Sequence, residues 1–418
     1  MPPTRSVPFT PAKRVLEQGL PERLERGARQ ADRELLDQAP AGFIDTTHFD
    51  TRRFPPPEWA LQSFDQAAHD GTLAYSPYRG HPAVLETVAR ALLTLTGEQF
   101  DPRSEVIVTP GTQAGLFGAL SAMVNPGDKV LLVDPDYLFS ERILRFLGAE
   151  IRSVPLTTGA ESAPDLAVLE RTLQQERPRL LVFSHPNNPT GALYPAAVIA
   201  RIAELAVRHE LWVVVDELYA RLLYDGHTLT HLAALPGMRE RTVTLFGPSK
   251  TESLSGYRIG VVAGPAPVIA ALEDVQSIAS LRAPAYSQHV LSRWLTDDHQ
   301  WLAARLREFD QLRRFTVSAL RALPWLRVEL PPATAYLWPD VGALGQSDTV
   351  VATALLREAG VLVSPGYQFG AGGRHHFRLC YARDEREWSA ALDRMIDVLD
   401  RLARTAGLAA ATRRGAAQ

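Results

Sequence analysis

Cysteine is nearly missing from this chain: Cys380 is the single one in 418 residues. One thiol cannot close an intramolecular disulfide, so the fold must stand without covalent staples, and a reducing, cytoplasmic compartment is expected. An excess of one charge is missing too. Lys and Arg number 44 against 47 Asp and Glu, a formal net charge of −3, and no stretch gathers basic residues into a stripe. Neither a nucleic-acid partner nor an anionic membrane surface is expected from that balance. No apolar run approaches the roughly 18 residues needed to span a bilayer, and the first residues contain no apolar segment of a secretory leader. There is no internal repeat and no long linker.

What the chain does have is length and apolar content. At 418 residues and 46% hydrophobic it can bury a large core and form more than one domain. Residues 1 to about 40 are polar and helix-prone, an arm or surface helix, and 411–418 are small and basic, which predicts a frayed end. Between them, short β-branched runs alternate with helical periodicity. EVIVTPG precedes QAGLFGALSAMV, KVLLVDPD precedes SERILRFLGA, and RLLVFSHP precedes PAAVIARIAELAVRHE; LWVVVDE and TVTLFGPSK follow. Near-continuous apolar runs, each leading into an amphipathic helix, predict a mostly parallel sheet covered by helices on both faces. RIGVVAG follows TVTLFGPSK closely and is expected to add to that sheet antiparallel. A long helical stretch, HQWLAARLREFDQLRRFTVSALRAL, then enters a tail that mixes short strands and helices. The expected fold class is α/β. A large domain at 61–299 is expected beside a smaller α+β domain built from 1–60 and 300–418.

The polar residues are placed informatively, because nearly all of them follow the C-terminal end of an expected strand, the edge at which open α/β sheets bind ligands. Pro110-Gly111-Thr112-Gln113 joins a strand to a helix, where backbone N–H groups can hold a phosphate. Alone it reads more often as a plain turn. Asp216 ends LWVVVD, with Tyr219 three residues on; a carboxylate there can pair with a protonated ring nitrogen or simply cap a helix. Lys250 closes TVTLFGPSK with no basic neighbour before Arg258. A partly desolvated lysine forms imines readily, although a buried lysine is more often paired and structural. Arg258, in SGYRIG, is a phosphate anchor or a surface residue. His185-Pro-Asn-Asn-Pro-Thr-Gly191 is the most unusual string, and its two prolines suggest a rigid loop with a cis Asn188–Pro189 bond.

Taken together, these strings are far more specific than any one of them. Asn187-Asn188-Pro189-Thr190-Gly191, Asp216-Glu217-Leu218-Tyr219, Ser249-Lys250, Ser255-Gly256-Tyr257-Arg258-Ile259-Gly260 and Phe377-Arg378-Leu379 match in order and spacing. With them the chain resembles the class I/II aminotransferases, fold-type I enzymes that use pyridoxal 5′-phosphate, over nearly its whole length. The resemblance implies that Lys250 holds the cofactor as a Schiff base and shuttles the substrate's α-proton. It implies that Asp216 keeps the pyridine nitrogen protonated, and that Asn188 and Tyr219 hydrogen-bond the ring O3′. Gly111, Thr112, Gln113, Ser249 and Arg258 are implied phosphate ligands, and Tyr137 is the ring that stacks on the cofactor. Tyr75 matches a tyrosine that reaches the neighbouring subunit's phosphate, which implies a homodimer with shared active sites. Arg378 matches the arginine that takes the substrate α-carboxylate, a task suited to a planar guanidinium. Asn188 is counted with it as a substrate contact.

One stretch departs from the family. Ordinary members carry a glycine-bearing loop near the N-terminus, but here Ile44-Asp45-Thr46-Thr47-His48-Phe49-Asp50-Thr51-Arg52-Arg53-Phe54 contains none. Losing a glycine removes the close approach that only a Cβ-free residue permits. Either the loop is repacked, or His48, Phe49 and the two arginines shape an unusual substrate pocket, with His48 the candidate substrate contact. Arg282, Arg79 and His289 have both structural and functional readings, and no metal site is expected.

The expected activity is transfer of an amino group from an amino acid to a 2-keto acid. The rival on the same fold is another pyridoxal-phosphate reaction: β- or γ-replacement, cyclisation or oxidation. A regulator that senses an amino acid is a third reading, but it needs a DNA-binding module of roughly 60 or more residues, and only about 40 unassigned residues precede the small domain.

Overall fold

The computed structural model describes residues 12–17, 35–69, 75–157, 159, 161–296 and 298–409. The frayed end expected at 411–418, and most of the expected N-terminal arm, lie outside these residues. A seven-stranded sheet forms the centre, with strands β2 (Val106–Thr109), β3 (Lys129–Asp134), β4 (Glu150–Pro155), β5 (Leu180–Ser184), β6 (Trp212–Asp216), β7 (Thr242–Phe246) and β8 (Gly260–Ala263). Their spatial order is β2-β8-β7-β6-β5-β3-β4. Strands β7, β6, β5, β3 and β4 pair in parallel, whereas β8 runs antiparallel between β7 and β2. The expected antiparallel addition is therefore an inserted strand and not an edge. Its N-terminal end, two residues after Arg258, lies at the same edge of the sheet as the C-terminal ends of its neighbours. The inner parallel strands β3, β5, β6 and β7 are buried on both faces, which explains their unbroken apolar runs, whereas β4 at the edge is largely exposed.

Two cores flank the sheet through its covering helices, one including Leu116, Leu120, Ile269 and Leu272, the other Leu169, Ile199, Ile202 and Leu205. A separate core joins the long helix His299–Leu320 and the terminal helix Glu385–Thr405 to Phe49, Phe54 and Tyr219. Around it lie two small sheets. In one, β1 (Ile44–Asp45) pairs in parallel with β10 (Val361–Leu362); in the other, β12 (Phe377–Cys380) lies antiparallel between β9 (Tyr336–Leu337) and β11 (Ser364–Pro365). The helix Glu58–His69 runs across residue 61. Among the described residues, no helix is long and apolar enough to cross a membrane.

Candidate active site

The chain reverses direction across the sheet between β3 and β5, since β4 lies outside β3 while β5 and β6 lie on its other side. A crevice opens at such a switch point beyond the strand ends. A cleft of about 650 Å³ occupies that place, lined by Thr112, Gln113, Tyr137, Asn188, Asp216, Tyr219, Lys250 and Arg378. These residues span more than 260 positions of sequence, and the order of the large sheet's strands together with the docking of β12 brings them together.

Lys250 is partly buried, and its Nζ lies 5.6 Å from the centroid of the Phe49 ring. Asp216 ends β6 and lines the cleft, where its Oδ1 accepts from the Leu218 N–H at 3.0 Å. Burial pushes its carboxyl up to about 6, against the opposing pull of that N–H group and of the Lys250 charge. Burial also raises the Tyr137 and Tyr219 phenols well above their ordinary value, so both remain protonated donors at neutral pH. Tyr137 Oη donates to Gln113 Oε1 at 2.9 Å, and Tyr219 Oη to Tyr336 Oη at 3.1 Å.

Arg378, on β12, reaches out of the small sheets and is itself buried. Its Nη1 donates to Asn188 Oδ1 at 2.8 Å and its Nη2 to the Thr47 carbonyl at 2.7 Å. The guanidinium lies 4.2 Å from the Tyr336 ring centroid and 4.8 Å from that of Phe369. Aromatic faces on a cation hold its plane without neutralising it, which leaves it competent to bind an anion. Because Asn188 Oδ1 is engaged by Arg378, its Nδ2 is the atom left to donate.

The Gly111–Thr112 turn starts the helix Thr112–Met123 with no side-chain cap. Gly111 has φ +87°, and a Cβ there would collide with the Arg258 guanidinium; a Cβ at Gly260 would collide with the Thr112 backbone. Uncapped N–H groups, a helix N-terminus and an arginine thus face one small volume, an arrangement that favours a phosphate. Ser249 is buried three residues beyond the end of β7.

One sequence expectation is overturned, that of the cis bond. The cis bonds are Asp134–Pro135 and His185–Pro186, not Asn188–Pro189; they lie at the two strand ends that Asp136 ties together. His48 is exposed but close enough to feel the Lys250 and Arg378 charges, while its neighbour Thr47 lines the cleft. The glycine-free loop turns Phe49 and Phe54 inward onto Phe309, with centroids 5.8 Å and 4.8 Å away, so aromatic packing anchors it. Tyr75 is not brought to this cleft within one chain. It is 82% exposed and forms, with Tyr78, a clamp of two rings on Arg282, at 4.5 Å and 4.7 Å.

Sequence reasoning missed Tyr336 and the fixing of the Asn188 loop. Asp136 accepts from Ser184 N at 2.9 Å, Ser184 Oγ at 3.1 Å, Asn187 Nδ2 at 3.0 Å and Tyr137 N at 2.6 Å. One buried carboxyl, pushed up to about 8 by burial, thereby ties the Tyr137 backbone to the asparagine loop. The acidic residue between Pro135 and Tyr137 was the available signal.

The aminotransferase class I and II family profile matches residues 45–395. The chain is 33% identical over 351 residues to the aspartate/prephenate aminotransferase of Thermus thermophilus, covering 83% of this chain and 89% of that one. It is 31% identical over 408 residues to the aspartate aminotransferase of Rhizobium meliloti, covering 94% and 97%. An aspartate aminotransferase structure from Rhodobacter sphaeroides aligns with a TM-score of 0.83 at 34% identity, covering 90% of this chain and 99% of that one. The chain belongs to the class I and II aminotransferases. It is a pyridoxal 5′-phosphate-dependent transferase of fold type I, moving the amino group of an amino acid to a 2-keto acid. The site suits that cofactor: the cradle at Gly111 faces Arg258, and the raised Asp216 carboxyl lines the cleft where a protonated ring nitrogen would stabilise its charge.

Proposed function

We propose that Lys250 is the residue that carries the cofactor and moves the substrate α-proton, and that Arg378 receives the substrate α-carboxylate. The observation that carries this reading is the shared cleft of Lys250, Asp216 and Arg378. Thr112, Gln113, Ser249 and Arg258, with the Gly111 turn, would hold the phosphate. Asp216 would pair with the ring nitrogen, Asn188 Nδ2 and the Tyr219 hydroxyl would meet the ring oxygen, and Tyr137 would cover the ring. When bound, pyridoxal phosphate supplies an electron sink for the pair left on the substrate Cα. The Lys250 primary amine would accept the proton from the substrate Cα and return it elsewhere. Phe49 and Tyr336 exclude water from the amine and from Arg378. The same reading takes 61–299 as the cofactor-holding domain, 1–60 with 300–418 as the smaller one, and the cytoplasm as the compartment. With an amino acid and no keto acid, the loaded enzyme should release one keto acid per site and retain the amino group. Release of ammonia, or repeated turnover to a modified amino acid, would instead establish a replacement, cyclisation or oxidation.

The reading includes a homodimer whose partner completes each site. Tyr75 (82% exposed) is a large side chain left open within one chain, as the reading requires. Sedimentation should give a stable dimer, and Tyr75→Ala should weaken cofactor retention with the assembly intact. A fully active monomer would overturn the assignment.

A further inference from the structure

Lys250 is followed by two residues whose surroundings the transfer chemistry does not explain. Glu252 is fully buried, and so is Asp298, the residue ahead of the long helix His299–Leu320. Both meet one guanidinium. Arg221 Nη1 donates to Glu252 Oε1 at 2.6 Å and to Asp298 Oδ2 at 2.6 Å, while Nη2 donates to Asp298 Oδ1 at 2.7 Å. The Thr251 hydroxyl bonds the other Glu252 oxygen. Arg221 lies two residues after Tyr219, and Glu252 two residues after Lys250. The cluster therefore joins three segments: the turn after β6, the lysine loop, and the start of the helix that carries Phe309 beneath Phe49.

Its charges do not balance if both acids are ionised. One guanidinium would face two carboxylates in a region closed to solvent, leaving a net negative charge with no partner, which a folded interior tolerates poorly. Two carboxyls brought to the same nitrogen atom escape that cost by keeping one proton between them. The bidentate fork marks Asp298 as the ionised member, and the Arg221 hydrogen bond and charge hold it below its usual range although burial opposes them. Glu252 has only one contact with the arginine; burial pushes its carboxyl up, and the Asp298 charge adds to the rise against the pull of Arg221.

We propose that Glu252 is held as the neutral acid beside ionised Asp298, and that the Arg221–Glu252–Asp298 unit is a positioning device that sets the Lys250 loop against the Tyr219 segment. The positioning half rests on the reading of Lys250 given above; the protonation half does not. Arg221, Asp298 and the Thr251 hydroxyl are the groups that face Glu252. Because folding raises this acid, its contribution to stability is fully present below the unfolded carboxyl range, about pH 4, and is lost as pH rises toward the higher folded value.

Glu252→Gln reproduces the neutral acid, with an oxygen for Arg221 and an N–H for Asp298 or Thr251. Melting of the cofactor-free protein should match wild type near pH 5, and the variant should melt higher than wild type near pH 9, since it has no proton to lose. Its kcat should stay within about twofold of wild type. Glu252→Leu removes the polar joint; its kcat should fall by about tenfold or more at little-changed KM, with a displaced pH midpoint for the absorption of the lysine-bound cofactor. If the leucine variant does not fold, Thr251→Val, which removes the hydroxyl from Glu252, is read by the same spectral midpoint and kcat. A glutamine variant that melts below wild type at every pH overturns the neutral acid. A leucine or valine variant that keeps the wild-type kcat and spectral midpoint overturns positioning. Borohydride reduction and peptide mapping on wild type tests the lysine assignment separately, because label away from Lys250 leaves the cofactor-free melting result untouched.

Discussion

Lys250→Ala is expected to lose the covalently retained cofactor and the yellow colour that goes with it, and to lower turnover by about 10³-fold or more. A positioned side chain that transfers a proton contributes roughly 10²–10⁴ in rate, and loss of the covalent link adds to that. The fold should survive. The amine faces the Phe49 ring at the edge of a cleft, and its charge acts on the Asp216 carboxyl less than burial does. Truncating it leaves no buried charge without a partner, which is the usual source of large destabilisation. Reduction of wild-type holoenzyme with borohydride, followed by peptide mapping, should label Lys250, and the variant should give no labelled lysine while melting close to wild type. A label on any other lysine, or a variant that keeps both its absorption and its turnover, would remove Lys250 from the centre of the mechanism.

Asp216→Asn should keep the fold and bind the cofactor but slow the removal of the α-proton. The asparagine can still accept from the Leu218 N–H, the bond that Asp216 makes at 3.0 Å, so the turn after β6 is preserved. What disappears is the negative charge beside the ring nitrogen. Losing one preorganised electrostatic contact of this kind typically costs about 10²–10³ in kcat, with KM little changed. An α-deuterated substrate should then show its full isotope effect. The cofactor-free protein should move the other way. Burial raises the Asp216 carboxyl to about 6, so the stability associated with its neutral form is present below the unfolded carboxyl range and is lost as pH rises through about 6. At pH 8 the cofactor-free Asn variant should therefore melt no lower than wild type. Near-normal turnover in the variant would reduce Asp216 to an acceptor for the Leu218 N–H.

Much of the site can be read from the chain because catalytic groups at strand ends leave local signatures. Lys250, Asp216 and Asn188 each follow a run whose apolar pattern already marks a buried parallel strand, and Gly111 stands where a strand must turn into a helix. Those signals need only neighbouring residues. The glycine-free stretch at 44–54 was equally visible, but its outcome was not. Whether Phe49 pointed at solvent, substrate or core depended on Phe309, 260 positions away, and the helix His299–Leu320 placed that ring.

By itself the sequence determined the buried apolar strands, the helices that follow them and the side chains at the strand ends, since burial and turn chemistry act over a few residues; the largely exposed β4, with no apolar run, left no such signal. Tertiary structure alone decided the partners. Asn188 became the acceptor for Arg378, Tyr336 the ring shared by Arg378 and Tyr219, and Asp136 the joint between Tyr137 and the asparagine loop. The two carboxyls on Arg221 belong to the same class, 31 and 77 residues from it. Such contacts are set by the crossing order of the strands and by the docking of β12 over their ends, and periodicity along the chain carries no record of either.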